Sequence, residues 1–210
     1  MHIFLQGPSK IGKSTLLREA LAPYVPLIAG FVVQRLTENG AVVGYRAVRI
    51  EGEFPPPEAE YCPELEGIFI SRGLKWDAAA LNEAIMSVRG RAPAHSRKLI
   101  LLDEIGGVEL GSRVFMGALE ELLAGEKPCF GVFKSRENFA RAARNLGFPA
   151  RHSDLHRRLE DRILSRGEII ELTGQSRPQA LERLKRAVAG AISHVGETST
   201  LGNPLGCRRP

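Results

Sequence analysis

The sequence predicts an α/β fold of three layers, in which a mostly parallel β-sheet lies between helices and carries an inserted β-hairpin. Short apolar runs that fit buried strands alternate with stretches of helical apolar spacing, a pattern typical of a parallel sheet covered on both faces. Asn39-Gly40 stands between two β-type runs, which is the strongest short-range signal of a hairpin. The 210 residues, 43% hydrophobic and 25% charged, are enough to bury one sizeable core.

The individual elements follow from apolar runs and their spacing. A first helix begins at Lys13 and is stopped by Pro23, and Asp77 is placed as the N-cap of the second helix. Residues 53–63, which carry four prolines and several acids, are expected to form an exposed loop. The strands are expected at 2–6, 29–36, 41–50, 68–70, 98–104, 128–133 and 168–172. The later helices are expected at 76–89, 113–124, 137–146, 152–165 and 178–194.

A single domain is expected over residues 1–195, because strands and helices alternate throughout and no internal repeat divides them. Residues 196–210 are rich in Gly, Pro, Ser and Thr and are expected to be a disordered tail. The cysteines have neither zinc-ligand spacing nor the pairing of a disulfide framework, so reduced thiols are expected. They are Cys62, Cys129 and Cys207.

The formal net charge of +5 suits a polyphosphate ligand, whose own charge needs Lys and Arg. No aromatic-interleaved basic stripe accompanies the charge, so a nucleic-acid partner is not favoured, and the sequence indicates no particular protein partner. No apolar run reaches ~18 residues, and the first strand runs straight into a glycine-rich loop, which leaves no room for a signal peptide. A cytoplasmic protein without a membrane span is therefore expected.

The stretch from Gly7 to Ser14 fits the pattern G-x-x-x-x-G-K-[S/T] and lies between a predicted strand and a predicted helix. Glycines let backbone N–H groups point inward as an anion nest, and the helix N-terminus adds its positive dipole end. Lys13 should reach the β- and γ-phosphates of a nucleoside triphosphate such as ATP or GTP, and the Ser14 hydroxyl should ligate Mg²⁺. The residues expected to bind the nucleotide are Gly7, Pro8, Ser9, Lys10, Ile11, Gly12, Lys13, Ser14 and Thr15.

An apolar strand that ends on two acids, Asp103 and Glu104, supplies the second half of such a site. Asp103 is expected to hold Mg²⁺ directly or through water. Glu104 can polarise a water for in-line attack on the γ-phosphate, which favours hydrolysis over binding alone. Lys13 and Glu104 are thus the predicted catalytic residues. No N/T-K-x-D sequence occurs, so the usual guanine-reading device of GTPases is absent.

Phosphoryl transfer also needs cations near the developing charge. Lys134 and Arg136 follow a predicted strand at the same sheet edge as the two acids and are expected near the site. His152 and His156 have the i, i+4 spacing of metal ligands, but no third ligand is evident, so surface histidines are expected. The remaining cations are expected on solvated helix faces: Arg141, Arg144, Arg151, Arg157, Arg158, Arg162, Arg166 and Arg177.

Several motifs together resemble a known family. The stretch from Asp103 to Ser112 is similar to the signature Asp-Glu-Ile-Gly-x-x-Glu-Leu-x-Ser, with Phe115 close behind. The hairpin Gly30-Phe31 … Gly40 … Gly44-Tyr45 is similar to a Gly-Phe … Gly … Gly-Phe segment, and Ser176-Arg177 stands where that family has Asn-Arg. Over roughly residues 1–192, the chain resembles the small nucleoside-triphosphatase family first described from thermophiles, the cancer-related nucleoside-triphosphatase type.

The resemblance implies a RecA-like P-loop NTPase fold, Mg²⁺ as cofactor, and slow hydrolysis of several nucleoside triphosphates with little base discrimination. It also implies that Arg177 contacts a phosphate. The chain departs from the family at three places. The loop interior Pro8-Ser9-Lys10 replaces the usual Pro-Gly-x form, Val33-Gln34 replaces Thr-Glu, and Ser176 replaces Asn. Nucleotide choice and activity therefore stay open at this point.

Three functions are compatible with these residues. The leading hypothesis is a Mg²⁺-dependent nucleoside triphosphatase that acts on ATP, GTP and other triphosphates. The second is a phosphotransferase acting on a small acceptor, with the basic segment 136–166 as a lid. The third is a non-enzymatic nucleotide-gated adaptor, for instance in cofactor delivery, whose +5 charge recruits an acidic partner.

Overall fold

A computed structural model of the chain describes residues 1–71 and 75–197. The strands are β1 (His2–Gln6), β2 (Ile28–Glu38), β3 (Ala41–Arg49), β4 (Glu58–Glu60), β5 (Ile68–Ser71), β6 (Lys75–Trp76), β7 (Leu99–Ile105), β8 (Cys129–Phe133) and β9 (Gly167–Glu171). The α-helices are α1 (Lys13–Leu21), α2 (Ala79–Arg91), α3 (Arg113–Ala124), α4 (Arg136–Leu146), α5 (Arg151–Leu164) and α6 (Arg177–Glu197).

The strands form one nine-stranded sheet with the order β6-β5-β3-β2-β7-β8-β1-β9, and β4 pairs with β2 beside this path. The five strands from β2 to β9 in this order are parallel, whereas β3 pairs antiparallel with β2 as the predicted hairpin. The register places Leu5, Val132 and Asp103 level across β1, β8 and β7. The carboxyl ends of these three strands therefore meet at one edge of the sheet.

Helices cover both faces of the sheet. The core cluster on one face joins the strands to α1 and α6, and the cluster on the other face joins them to α2, α3, α4 and α5. Alternate residues of β7 serve the two clusters: Leu99 and Leu101 face α1 and α6, whereas Ile100 and Leu102 face the other layer. This confirms the predicted three-layer α/β fold with a mostly parallel sheet and an inserted hairpin.

Two segments differ from the sequence-based prediction. The expected loop over residues 53–63 contains β4, which pairs in parallel with β2 from Arg35 to Thr37. Trp76, expected to open the second helix, lies instead in β6 opposite Ile70. The helix begins at Ala79 with Ala78 as its N-cap, so the predicted N-cap Asp77 lies one residue too early. Asp77 accepts a hydrogen bond from the Ala79 N–H at 2.9 Å. Local helical spacing was overridden here by strand pairing.

In the part of the chain that the structure describes, no helix is both long and apolar enough to cross a membrane. Cys62 and Cys129 are free thiols. Cys207 and most of the predicted tail, residues 198–210, lie outside the described residues.

The prediction that His152 and His156 lie on the surface is wrong, because they are 1% and 3% exposed. Their i, i+4 spacing instead marks the inward face of α5. The His156 ring lies against Phe133 and Phe139, and its Nε2 donates to the Lys134 main-chain oxygen at 2.8 Å. His152 packs on an aromatic ring, but neither of its ring nitrogens has a hydrogen-bond partner.

Replacing His152 with leucine is expected to leave the free energy of unfolding unchanged or raise it by about 1 kcal/mol, because two unpartnered buried nitrogens are removed and no hydrogen bond is lost. Burial lowers the pKa of His152 below its ordinary value of 6.5. The unfolded chain therefore takes up this proton first as the pH falls, so the wild type loses stability below about pH 6.5. The leucine variant lacks this share of the acid sensitivity.

Urea unfolding at about pH 8 and about pH 5 checks this prediction. His156→Leu is the matched control, because it removes the hydrogen bond to the Lys134 carbonyl and is expected to cost about 1–3 kcal/mol at about pH 8. Burial lowers the pKa of His156 as well, so this cost is expected to be smaller at about pH 5. A His152→Leu protein as unstable as the His156 variant would show that His152 does have a partner.

Candidate functional site

A loop joins the end of β1 to the start of α1 at the carboxyl edge of the sheet. Gly7 and Gly12 have φ angles of 138° and 92°, a left-handed region that favours glycine. No side chain caps the start of α1, so the N–H groups of its first turn are left for another acceptor. Such a helix end, reached through a glycine-rich turn, is the arrangement that binds phosphate groups.

Lys13 lies inside this loop and is only 8% exposed. Its Nζ donates to the main-chain oxygens of Gly7 at 3.0 Å and Pro8 at 2.8 Å. An ammonium group has three N–H donors, so one remains for a phosphate oxygen. Burial lowers the pKa of Lys13, and the nearby carboxylates of Glu104 and Asp103 oppose this shift by favouring the charged form. The loop thus holds the ammonium rigidly among carbonyls.

The Ser14 hydroxyl donates to Asp103 Oδ1 at 2.9 Å and so joins α1 to the end of β7. Asp103 is 2% exposed, and burial together with the Glu104 charge raises its pKa to about 7. A carboxylate in this position gains from a nearby cation, and hydroxyl and carboxylate oxygens are ligands that hard divalent cations prefer. Among the described residues, no three His, Cys, Asp or Glu side chains gather as a metal site. A cation would therefore also use water and phosphate oxygens.

Glu104 follows Asp103 on the same strand and forms an ion pair with Lys134 at the end of the neighbouring strand β8. Glu104 Oε1 is 3.2 Å from Lys134 Nζ, and the Glu104 side chain is 30% exposed. Burial by itself lowers the pKa of Lys134, but the charges of Glu104 and Glu109 outweigh it and raise the pKa. The structure thus places a fixed, partly accessible carboxylate beside Asp103. The predicted neighbourhood of Lys134 and the two acids is found.

Gly106 and Gly107 follow Glu104 in a turn against which the Lys134 side chain lies. Glu109 is buried and accepts hydrogen bonds from the N–H groups of Gly106 and Gly107. A Cβ atom on Gly107 would lie 3.1 Å from Lys134 Cε, and one on Gly106 would lie 2.9 Å from the Phe133 ring. Glycines at these two positions therefore leave room for Lys134 to reach Glu104.

The signature Ser112 has a different task at the start of α3. Its hydroxyl caps the helix by accepting from the Phe115 N–H at 3.2 Å, and it donates to Asn82 Oδ1 on α2 at 2.6 Å. Because α3 follows the turn directly, this cap fixes where the turn ends. Glu109 and Ser112 therefore support the site rather than form it.

Arg177, the first residue of α6, lies beside the phosphate-binding loop. Its Nη1 donates to the Ile11 main-chain oxygen at 3.4 Å, and a Cβ atom on Gly12 would overlap its guanidinium group. Ser176 holds the preceding turn through hydrogen bonds with Thr173. The structure thus brings Arg177 to the helix end of the loop, rather than to a solvated helix face.

Asn138 on α4 is a site residue that the sequence analysis missed. It is buried, its Nδ2 donates to the Gly7 main-chain oxygen at 2.9 Å, and its Oδ1 accepts from the Ser9 hydroxyl at 3.2 Å. One side-chain amide therefore ties together the first and third residues of the loop. No local motif links Asn138 to a loop more than a hundred residues away. Its place shortly after β8, whose carboxyl end lies beside that of β1, is the signal that could have found it.

Replacing Asn138 with alanine is expected to weaken the binding of nucleoside diphosphates and triphosphates alike, by about tenfold, because both share the loop that Asn138 holds. Titration calorimetry with a diphosphate and a non-hydrolysable triphosphate measures this. Asn145→Ala, at the exposed end of the same helix, is the control and is expected to bind as the wild type does. Equal affinities for the Asn138 and Asn145 variants would contradict the assignment.

The basic helices differ in part from the prediction. Arg136 was expected near the site, but its Nε and Nη2 donate to Glu160 on α5, at 3.0 and 2.7 Å. Arg141 is 51% exposed, as expected for a solvated helix face, and its Nη2 also donates to Asn138 Oδ1 at 2.9 Å. Glu160, on the inward side of α5, binds Arg136 and so holds it away from the site. Arg141 lies one helical turn after Asn138 and therefore on the same side of α4.

Gln34 stands where the family typically has Glu. It lies on β2 two residues beyond Val32, which pairs with Asp103. It is fully buried, accepts from Arg46 Nε at 2.6 Å, and donates to the Pro56 main-chain oxygen at 2.7 Å. The uncharged Gln34 amide therefore forms hydrogen bonds with both neighbours and, unlike a buried carboxylate, needs no counter-ion. Gln34 fastens the proline-rich segment to the sheet near the site.

Comparison with known proteins identifies the family of the chain. A family model described as NTPase matches residues 2–184. The nucleoside-triphosphatase THEP1 of Thermotoga sp. (strain RQ2) is 27% identical over 154 residues, which cover 69% of this chain and 81% of that protein. The human cancer-related nucleoside-triphosphatase is 26% identical over 139 residues, which cover 59% of this chain and 69% of that protein.

A solved structure is similar in fold. The crystal structure of THEP1 from Aquifex aeolicus superposes with a TM-score of 0.57 at 20% identity, over 88% of this chain and 96% of that chain. The family model spans residues 2–184, which is well over half of the chain. The chain therefore belongs to the NTPase family of enzymes.

Proposed function

We propose that this enzyme hydrolyses the γ-phosphate of ATP, GTP and other nucleoside triphosphates with Mg²⁺ and with little base selectivity. The observation that carries the proposal is the meeting of three groups at one sheet edge: the Lys13 ammonium inside the loop, the Ser14–Asp103 pair, and the Glu104–Lys134 pair. These are the parts that phosphoryl transfer requires: a phosphate cradle, oxygen donors for a metal, and a carboxylate beside them.

Each group has a separate task in the proposed reaction. Lys13 and the loop N–H groups bind the β- and γ-phosphates, and Arg177 contacts a phosphate at the helix end of the loop. Ser14 and Asp103 would hold Mg²⁺, which when bound would neutralise phosphate charge. Glu104, fixed by Lys134, orients a water molecule and takes its proton as the water oxygen bonds to the γ-phosphorus. The bond to the β-γ bridging oxygen breaks, and a nucleoside diphosphate and inorganic phosphate result.

Low base selectivity is what the family resemblance implies, and the sequence carries no N/T-K-x-D motif that would select guanine. The phosphotransferase alternative gains no support from the basic segment, because α4 and α5 are packed on the sheet through Phe139, Leu159 and Ile163, which are buried in the core. A segment anchored in this way lacks the freedom of a closing lid.

A hydrolysis panel tests the proposal. Phosphate release is measured with ATP, GTP, CTP and UTP, each with Mg²⁺ and with a chelator. We expect release from several triphosphates, all of it dependent on the metal. Release from a single triphosphate would contradict low base selectivity, release in chelator would contradict the metal assignment, and no release from any of them would contradict the proposed activity.

A further inference from the structure

We propose that Arg141 is the positively charged residue, supplied by the chain itself, that contacts the terminal phosphate of the bound triphosphate. The inference rests on the proposed function and adds to it the residue that distinguishes a triphosphate from a diphosphate. Phosphoryl transfer needs such a cation at the transferring group, and proteins supply it either from the same chain or from a partner.

A chain of hydrogen bonds leads from the loop lysine to Arg141. Lys13 Nζ and Asn138 Nδ2 donate to the same acceptor, the Gly7 main-chain oxygen, at 3.0 and 2.9 Å. The other end of the Asn138 amide, Oδ1, accepts from Arg141 Nη2 at 2.9 Å. One side-chain amide therefore separates the Arg141 guanidinium from the loop that encloses the Lys13 ammonium, the group expected to meet the β- and γ-phosphates.

The same oxygen of Asn138 also accepts from the Ser9 hydroxyl at 3.2 Å. The Arg141 guanidinium thus lies at the Ser9 side of the loop, whereas Arg177 lies at Ile11 and Gly12, on the side of the helix end. The two arginines flank the loop from different positions. From these positions the two arginines would meet different phosphates of a bound triphosphate.

Arg141 is also more available than Lys134 and Arg136, the two cations that follow β8 directly. Its side chain is 51% exposed, and its acidic neighbour Glu137 is exposed and 3.6 Å away. By contrast, Lys134 is paired with Glu104 at 3.2 Å, and Arg136 donates twice to Glu160. A guanidinium held by a neutral amide oxygen can turn to a phosphate oxygen without leaving a buried carboxylate unpaired, and its planar fork suits phosphate geometry.

The test compares Arg141→Ala with Arg144→Ala, which removes the same charge from an exposed position one turn further along α4. The affinity for a non-hydrolysable ATP analogue is expected to fall about tenfold to a hundredfold in the Arg141 variant, with ADP affinity unchanged. Its turnover number is expected to fall on the order of a hundredfold or more. Arg144→Ala should change none of these, and Arg141→Lys should recover only part of the loss.

Three results would overturn the inference while leaving the proposed function intact. In the first, the wild type hydrolyses triphosphate and the Arg141 and Arg144 variants have equal affinities and turnover numbers. In the second, Arg141→Ala weakens the binding of ADP and of the ATP analogue equally, and in the third, an added partner protein alone restores the full turnover of Arg141→Ala. Failure of the wild type to bind or hydrolyse any triphosphate would overturn the proposed function, and the inference with it. Circular dichroism of each variant shows that the exposed substitutions leave the fold unchanged.

Discussion

Lys13→Ala is expected to reduce triphosphate affinity by at least about a hundredfold, the largest loss that any single substitution in the loop should cause. The variant removes the Lys13 ammonium group, whose third N–H donor is expected to bind a phosphate oxygen. It also removes the hydrogen bonds to the Gly7 and Pro8 carbonyls, which tie the lysine to the loop main chain. Titration with a fluorescent, non-hydrolysable triphosphate measures the affinity directly.

Lys185→Ala is the control for charge alone, because Lys185 is a half-exposed lysine on α6 whose nearest acid, Glu19, is 3.7 Å away. The control is expected to bind the analogue within about twofold of the wild type, since surface ion pairs of this kind contribute little. If Lys13→Ala binds as tightly as Lys185→Ala, the loop is not the phosphate site.

Glu104→Gln is expected to lower the turnover number by about a hundredfold to ten-thousandfold, while triphosphate affinity stays within a few-fold of the wild type. Glutamine has the same shape but cannot accept the proton of the attacking water. Single-turnover measurements with excess enzyme separate the chemical step from product release. Glu120→Gln, at an exposed position on α3, is the matched control and should hydrolyse at the wild-type rate.

The ion pair with Lys134 allows the role of Glu104 to be tested further. If Lys134 only fixes the carboxylate, Lys134→Met should lower turnover less than Glu104→Gln, and the double variant should be no slower than Glu104→Gln alone. Additive losses would show that Lys134 acts on the phosphate independently. Unchanged turnover of Glu104→Gln would mean that another group orients the water.

The fold and one part of the site were predictable because they depend on local pattern. The phosphate loop lies between a strand and a helix in consecutive sequence. An apolar run that ends on Asp103 and Glu104 predicts β7. Parallel strand order then brings the ends of β1, β7 and β8 to one edge. The neighbourhood of Lys134 and Glu104 followed from that order alone.

The contacts that depend on side-chain direction were not predictable. Arg136, Asn138 and Arg141 lie on one helix, and the contacts of each depend on which element faces that side of the helix. Arg136 donates to Glu160 on α5, whereas Asn138 donates to the phosphate-binding loop. The local spacing of residues predicts neither partner. The buried histidines of α5 were misassigned for the same reason: an i, i+4 pair indicates one helix face but not whether that face is inside.

Hydrolysis in water enriched in the heavy isotope of oxygen tests the central claim most directly. Mass spectrometry of both products after turnover of ATP with Mg²⁺ shows where the water oxygen goes. The proposed attack on the γ-phosphorus predicts one heavy oxygen in inorganic phosphate and none in ADP. Label in ADP, transfer of the phosphoryl group to another acceptor without label in phosphate, or no turnover at all would contradict it.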